Sequence, residues 1–314
     1  MRSRLIRNLV ALVLLAALFY IVNLEELWQA LKNLTWSSVV LLLGISVVLV
    51  YLSAWKWKLF LDHMHGGARL SSIRLFLLYL IGYFVNLILP SYIGGDAVRS
   101  FYAGKHVGQH QAATATILER YTGLVAMLLL ALAGMWFSSL VTWQIKTCVI
   151  TISALLVLIT WLSLSKRGLA RLLALPKLDS LRPSFEKIRD GINSARGKSG
   201  LIIQAMLLSF AYHSFTVLNT IIAGYAVGWF DIPVTDLFVV LPLILLIGSL
   251  PVAPSGLGIQ EGAFFYFLYG IGATPAQALG VGLVLRAKSY LLAVFGGFIW
   301  LLERRSSAGL SPSS

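Results

Sequence analysis

Two stretches of this chain concentrate the side chains that could do chemistry. Leu-Pro-Ser-Tyr-Ile-Gly-Gly-Asp at 89–96 is followed by Arg99 and then by the adjacent pair Glu119 and Arg120. Ala-Pro-Ser-Gly-Leu-Gly-Ile-Gln-Glu at 253–261 is followed by Arg286 and Lys288. These residue types suit binding more than bond-making. A guanidinium matches phosphate geometry, so Arg99, Arg120 and Arg286 are candidate anion binders. Helix starts near Gly94, Gly95 and Gly256 would add backbone N–H donors to the same anion. Asp96, Glu119, Glu261 and Lys288 are the candidate counter-charges or proton-coupling groups, Glu261 foremost. No catalytic residue, metal site or cofactor is expected, because the chain has no nucleophile elbow, P-loop, zinc spacing or dinucleotide fingerprint. His63 and His65 beside Asp62 read as a solvated loop, and His213 as a hydrogen-bonded core histidine.

The elements that must position these charges are apolar. The 314 residues are 58% hydrophobic and 12% charged, where a soluble domain carries about 25% charged residues. A charge at the centre of a membrane helix costs about 2.5–3.5 kcal/mol on insertion scales, so such residues pair, face the interior or line a wet cavity. The net charge of +13 lies between apolar runs, where Lys and Arg orient a chain in the bilayer and attract anionic headgroups. Nucleic acid is therefore not expected as a partner; membrane lipid with an anionic headgroup is. Cys148 is the sole cysteine, so no intramolecular disulfide can form.

Six runs are long enough to span a bilayer: about 5–23, 37–60, 112–138, 147–164, 200–227 and 278–302. The first, preceded by Arg2, Arg4 and Arg7, lacks a small-residue cleavage pattern and reads as an uncleaved anchor. Two further stretches, 73–106 and 237–272, are each two short apolar arms around a Pro/Gly-rich centre. An arm of about 15 residues reaches about 22 Å, less than the roughly 30 Å hydrocarbon core. Pro90 and Pro254 cannot continue a helix. Both stretches are therefore expected to be re-entrant hairpins, in an all-α polytopic membrane protein with about six full spans.

Cations sort by side under this scheme. The N-terminus, the loop 56–74 (Lys56, Lys58, Arg69, Arg74), the basic loop 165–199 and the C-terminus (Arg304, Arg305) lie inside; 24–36, 139–146 and 228–236 lie outside and carry few. Trp28, Trp36, Trp55, Trp57, Trp143, Trp229 and Trp300 fall at span ends, as an interfacial belt would. Leu181, Phe185, Ile188 and Ile192 recur at helical spacing in the basic loop, which suits a surface helix. One membrane domain covers 1–305, with a polar tail at 306–314.

The two broken stretches also repeat one another. Pro-Ser-x-x-Gly occurs at 90–94 and 254–258, and Gln-Ala with a later Arg at 111–120 and 277–286. Repeat 1 is about 73–138 and repeat 2 about 237–302. Three spans lie between the breakers, an odd number, so the copies are expected to be inverted, an arrangement common in secondary transporters.

On these residues (Pro90 to Arg99, Glu119-Arg120, Pro254 to Gly258 with Glu261, and Arg286) the chain resembles the lysylphosphatidylglycerol synthase transmembrane-region family of flippase-like membrane proteins, over roughly 5–302. The resemblance implies a multi-pass protein of a prokaryotic plasma (inner) membrane, with both termini cytoplasmic, that moves a phospholipid or polyprenyl-phosphate-type lipid between leaflets. It ends at Ser314 without the soluble aminoacyl-transferase domain of the best-studied branch, so an enzyme is not expected. The alternatives are an integral-membrane enzyme, or partner of an enzyme, of lipid or glycolipid synthesis, and a small-solute secondary transporter.

Overall fold

The structure is a computed structural model that describes residues 2–65, 70–88, 93–164, 198–250 and 253–308, with Glu186, Arg189 and Asn193. The first breaker at 89–92, nearly all of the basic loop and the end of the polar tail lie outside the described residues. The described residues are helical, without strands. We number the helices α1 (Arg2–Ile21), α2 (Leu24–Lys32), α3 (Trp36–His65), α4 (Ser72–Ile88), α5 (Ile93–Val107), α6 (Gln109–Phe137), α7 (Trp143–Leu164), α8 (Ser199–Ala226), α9 (Val234–Gly248), α10 (Ile259–Gly270) and α11 (Pro275–Ala308).

Five helices (α3, α6, α7, α8, α11) are long and apolar enough to cross a membrane, and α1 with α2, bent by 91°, makes a sixth candidate if the pair is counted as one span. The expected outside loop 24–36 thus contains a helix. Its start is fixed by Asn23, whose side chain accepts from the Glu25 and Glu26 amides, and this N-cap explains why the chain bends there instead of running on. α3 continues to His65. Lys56, assigned above to an inside loop, is therefore well within a helix and buried.

The two broken stretches are both divided into short helices. α4 and α5 are about 25 and 22 Å long, and α9 and α10 about 22 and 18 Å. Between α9 and α10 lies a single 3-10 turn, Pro254–Gly256. Ser255 there has φ +50° and Gly258 φ +79°, left-handed backbone that ends α-helical hydrogen bonding and that costs Ser255 strain.

Eight helices fall into two sets whose packing corresponds, α3–α6 and α8–α11. α4 packs on α5 as α9 does on α10, and α5 on α6 as α10 on α11. The first arm of each copy packs on the long helix of the other: α4 on α11, α9 on α6. α3 meets α4 and α6, α8 meets α9 and α11, and α3 and α8 pack together between the copies. There are two apolar cores, one around Trp57, Phe60, Leu75, Leu78 and Leu118 joined by Ala205 and Leu292, the other around Leu237, Ile244, Leu268 and Val281 joined by Leu42 and Ala131. The cross-packing is close. A Cβ at Gly296 of α11 would collide with the Leu80 carbonyl of α4.

Adding a methyl there cannot be absorbed by rotating a side chain, since backbone is in the way. Gly296→Ala is expected to destabilise the protein by about 1–3 kcal/mol, read as a lower melting temperature of the purified protein in detergent. Gly262→Ala, where a Cβ meets nothing within 4 Å, should be near neutral.

Candidate functional site

The first copy carries a chain of five charges. Lys56 on α3 lies 3.4 Å from Glu119 on α6 and donates to the Ser209 hydroxyl of α8 at 3.1 Å. Glu119 accepts from Arg99 Nη2 of α5 at 2.7 Å, and Arg99 Nε donates to Asp96 at 3.0 Å. Asp96 in turn accepts from both Nε and Nη2 of Arg120, each at 2.8 Å. Asp96 and Arg99, three residues apart on one helix, pair with each other, and Arg120 Nε also lies 4.0 Å from its neighbour Glu119.

Helix geometry explains the ordering. Asp96 sits in the first turn of α5, where a negative charge also meets the positive end of the helix. Arg120 is three turns into α6 and reaches back to it. One end of the chain is buried and the other exposed: side-chain exposure is 5% for Lys56 and Glu119, 1% for Arg99, 20% for Asp96 and 60% for Arg120. The network holds three cations and two carboxylates, a net charge of +1. Its exposed end is a guanidinium.

That end opens into a cavity of about 770 Å³ between α5, α6 and α7. Among the described residues Asp96 and Arg120 are its only charged walls; Ala97, Phe101, Ala113, Ile117, Leu124, Leu156 and Ile159 supply apolar ones. α5 and α7 each pack on α6 without packing substantially on one another. The cavity is the gap between them.

The second copy is arranged differently. Glu261 pairs with Arg286, as Asp96 does with Arg120, and Arg286 occupies the twelfth position of α11 as Arg120 does of α6. The remaining Arg286 donors go to the carbonyls of Ser255 at 2.6 Å and Gly256 at 3.2 Å. Arg286 therefore clamps the breaker. Glu261 is buried, with its second oxygen accepting from the Gly258 amide at 2.7 Å. Three residues after Glu261 stands Phe264, where Arg99 follows Asp96, and Leu285 precedes Arg286 where Glu119 precedes Arg120. The network has no second copy.

The second breaker meets α4. Ser255 Oγ donates to the Asn86 carbonyl at 2.6 Å, and the Asn86 side chain accepts from the Gly95 amide at 2.7 Å. The Gly95 and Gly256 amides, expected to face an anion, are thus engaged within the protein, the latter with the Ala253 carbonyl. Gly95 instead permits close packing: a Cβ there would strike the Gly82 carbonyl of α4. Gly94 lies in the first turn of α5. Lys288, on α11, makes no ion pair or hydrogen bond among the described residues. His213 is hydrogen-bonded to the Gly123 carbonyl at 3.0 Å, a core histidine as expected. Among the described residues no three His, Cys, Asp or Glu side chains gather as a metal would need.

Two tryptophans placed in the interfacial belt are buried instead, Trp57 and Trp229. Trp57 is fully covered because the Arg99 guanidinium lies over its ring, 4.5 Å from the centroid, and 4.1 Å from that of Tyr79. Lys56, Trp57, Tyr79, Asn86 and Ser209 are the site residues that the sequence reading missed. Lys56 and Trp57 were hidden by their place near a span end.

A profile of the lysylphosphatidylglycerol synthase transmembrane region matches residues 4–297, nearly the whole chain. The protein belongs to this family. A UPF0104 membrane protein of Methanocaldococcus jannaschii is 23% identical over 313 residues, covering 93% of this chain and 91% of the relative. No solved structure gives a significant match. The match to the family's transmembrane region spans both broken stretches, and so includes the five-charge network and the clamp at Arg286.

In this family member Glu119 is the partner of two buried cations. Glu119→Gln leaves Lys56 and Arg99 without it, and removing one member of a buried pair costs about 3–5 kcal/mol. Thermal unfolding of purified Glu119→Gln should show that loss, and adding Lys56→Met should recover part of it. Simple additivity of the two changes would mean that they do not interact.

Proposed function

We propose that the protein moves a lipid with an anionic headgroup between leaflets, and that Arg120 is the residue that meets the headgroup. The carrying observation is the charge imbalance of the network together with where it opens. A buried assembly with one positive charge in excess is stabilised by an anion, and its exposed member faces a cavity with apolar walls. A phosphate at Arg120 could accept two parallel N–H bonds if it displaced Asp96, a bidentate arrangement that a guanidinium favours. The lipid's chains would leave sideways between α5 and α7. A small polar solute has no use for that apolar side opening, which weighs against a solute transporter.

The duplicated packing supports the same reading. Broken helices that meet near mid-depth between two repeats are typical of secondary transporters, and Arg120 and Arg286 each lie about 17 Å along their helices. In this account both broken stretches are re-entrant, the repeats are inverted, and both termini are cytoplasmic in a prokaryotic plasma membrane. Arg120 is then the headgroup contact, Asp96 the group it exchanges for phosphate, and Glu119 the fixed counter-charge. Glu261 and Arg286 hold the second breaker in shape. Lys288 stays free for a later contact along the path.

The test is lipid translocation in proteoliposomes, followed by quenching of fluorescent phosphatidylglycerol and phosphatidylcholine from outside. Wild type should move the anionic lipid. Arg120→Ala should slow it at least tenfold with little change in melting temperature, and Arg286→Ala should slow it while lowering the melting temperature. Equal transport by wild type and Arg120→Ala would remove the proposed role of Arg120; no transport of either lipid would remove lipid movement.

A further inference from the structure

Behind Arg120, on the protein side of Asp96, three hydrogen-bond donors have no acceptor among the described residues. They are Arg99 Nη1, the Trp57 indole Nε1 and the Tyr79 hydroxyl, all buried. Arg99 is 1% exposed, Trp57 0% and Tyr79 7%. They come from three helices, α5, α3 and α4, and they surround one guanidinium: the Trp57 and Tyr79 rings lie edge to face, 5.9 Å between centroids, with Arg99 over both. Buried donors are almost always paired, and an unpaired one is costly. Three together, on a cation, inside a network with excess positive charge, form an environment made for an acceptor with negative charge.

Cation–π contact accounts for the stacking of Arg99 on the two rings. It does not account for the donors at the ring edges. A phenylalanine at position 79 would stack as well and would leave no hydroxyl to satisfy; Phe264 occupies the corresponding place to Arg99 in the second copy, where no charge needs a partner. The polar edges are therefore an addition to the architecture.

We infer that Arg99, Trp57 and Tyr79 form an inner anion station, distinct from Arg120, which takes a phosphate oxygen of the lipid headgroup. The inference rests on the proposed function and names a second stop within it. Asp96 joins the two stations, since it accepts from both arginines. When phosphate displaces Asp96 from Arg120, the carboxylate keeps Arg99; when the phosphate moves inward, Arg99 takes it and Asp96 returns to Arg120. No bond is made or broken other than hydrogen bonds, and the excess positive charge is covered at both stations.

The test uses the full-length protein in detergent, labelled with 5-fluorotryptophan, with dihexanoylphosphatidic acid as the probe. Nine tryptophans give the 19F signals, and Trp57 is assigned by its loss in Trp57→Phe. Binding of the probe anywhere on the protein is followed separately by broadening of its 31P signal. The Trp57 signal should shift saturably with probe. In Tyr79→Phe, which keeps the ring and removes one donor, the midpoint of that shift should rise by about tenfold or more, as expected when a hydrogen bond to a charged group is lost. A Trp57 signal that stays fixed while the 31P signal reports saturable binding would overturn the inner station and leave Arg120 intact. An unchanged midpoint in Tyr79→Phe would overturn it as well. Absence of any saturable binding in wild type would overturn both this station and the anion site at Arg120.

Discussion

The buried carboxylate of Glu119 accepts from Arg99 and lies 3.4 Å from Lys56, so one negative charge serves two cations where water cannot. Everything nearby follows from that constraint. α3, α5 and α6 must converge to bring the three groups together, and α8 comes in with Ser209 to hold Lys56. The remaining need for negative charge passes along Arg99 to Asp96, and from Asp96 to Arg120. The helix packing sets where the imbalance is buried; the gap beside α7 sets where it is exposed.

Comparison of the two copies separates what the architecture requires from what is added. Both have short arms, an acid at the start of the second arm and an arginine twelve residues into the long helix that follows. In the second copy this pair is closed on itself and on the breaker. α1 lies against that breaker, where a Cβ on Gly258 would meet the Ala11 carbonyl at 2.9 Å. In the first copy the same pair is extended by Lys56, Glu119 and Arg99, and it faces a cavity. At the corresponding positions of the second set stand Phe264 and Leu285, which carry no charge.

Much of this was legible in the sequence, for physical reasons that can be named. Spans were readable because a helix that crosses lipid needs an uninterrupted apolar run, and the six found match the long helices to within a few residues. The breakers were readable because Pro and Gly interrupt helices wherever they fall. The Asp96–Arg99 ion pair is readable from its i,i+3 spacing, whereas the sequence leaves Glu261 open to either Arg120 or Arg286, and the structure pairs it with Arg286. Lys56 was not legible, because a lysine near the end of an apolar run looks like a loop residue; only the length of α3 makes it internal. Trp57 was misplaced for the same reason, with Arg99 over its ring in place of an interface. The roles of Gly95 and Gly256 depended on partners far away in sequence, Asn86 and the Arg286 clamp, which no local pattern reveals.

The central claim is that the network lacks one negative charge and that a lipid phosphate supplies it at Arg120. Ala97 lines the cavity beside Asp96, and Ala97→Asp would supply that charge from the protein itself. The most direct measurement is native mass spectrometry of the two proteins after incubation with phosphatidylglycerol and phosphatidylcholine in equal amounts. Wild type should retain phosphatidylglycerol in preference, and Ala97→Asp should lose that preference while staying folded. Equal retention of both lipids by wild type, or an undiminished preference in Ala97→Asp, would contradict the account.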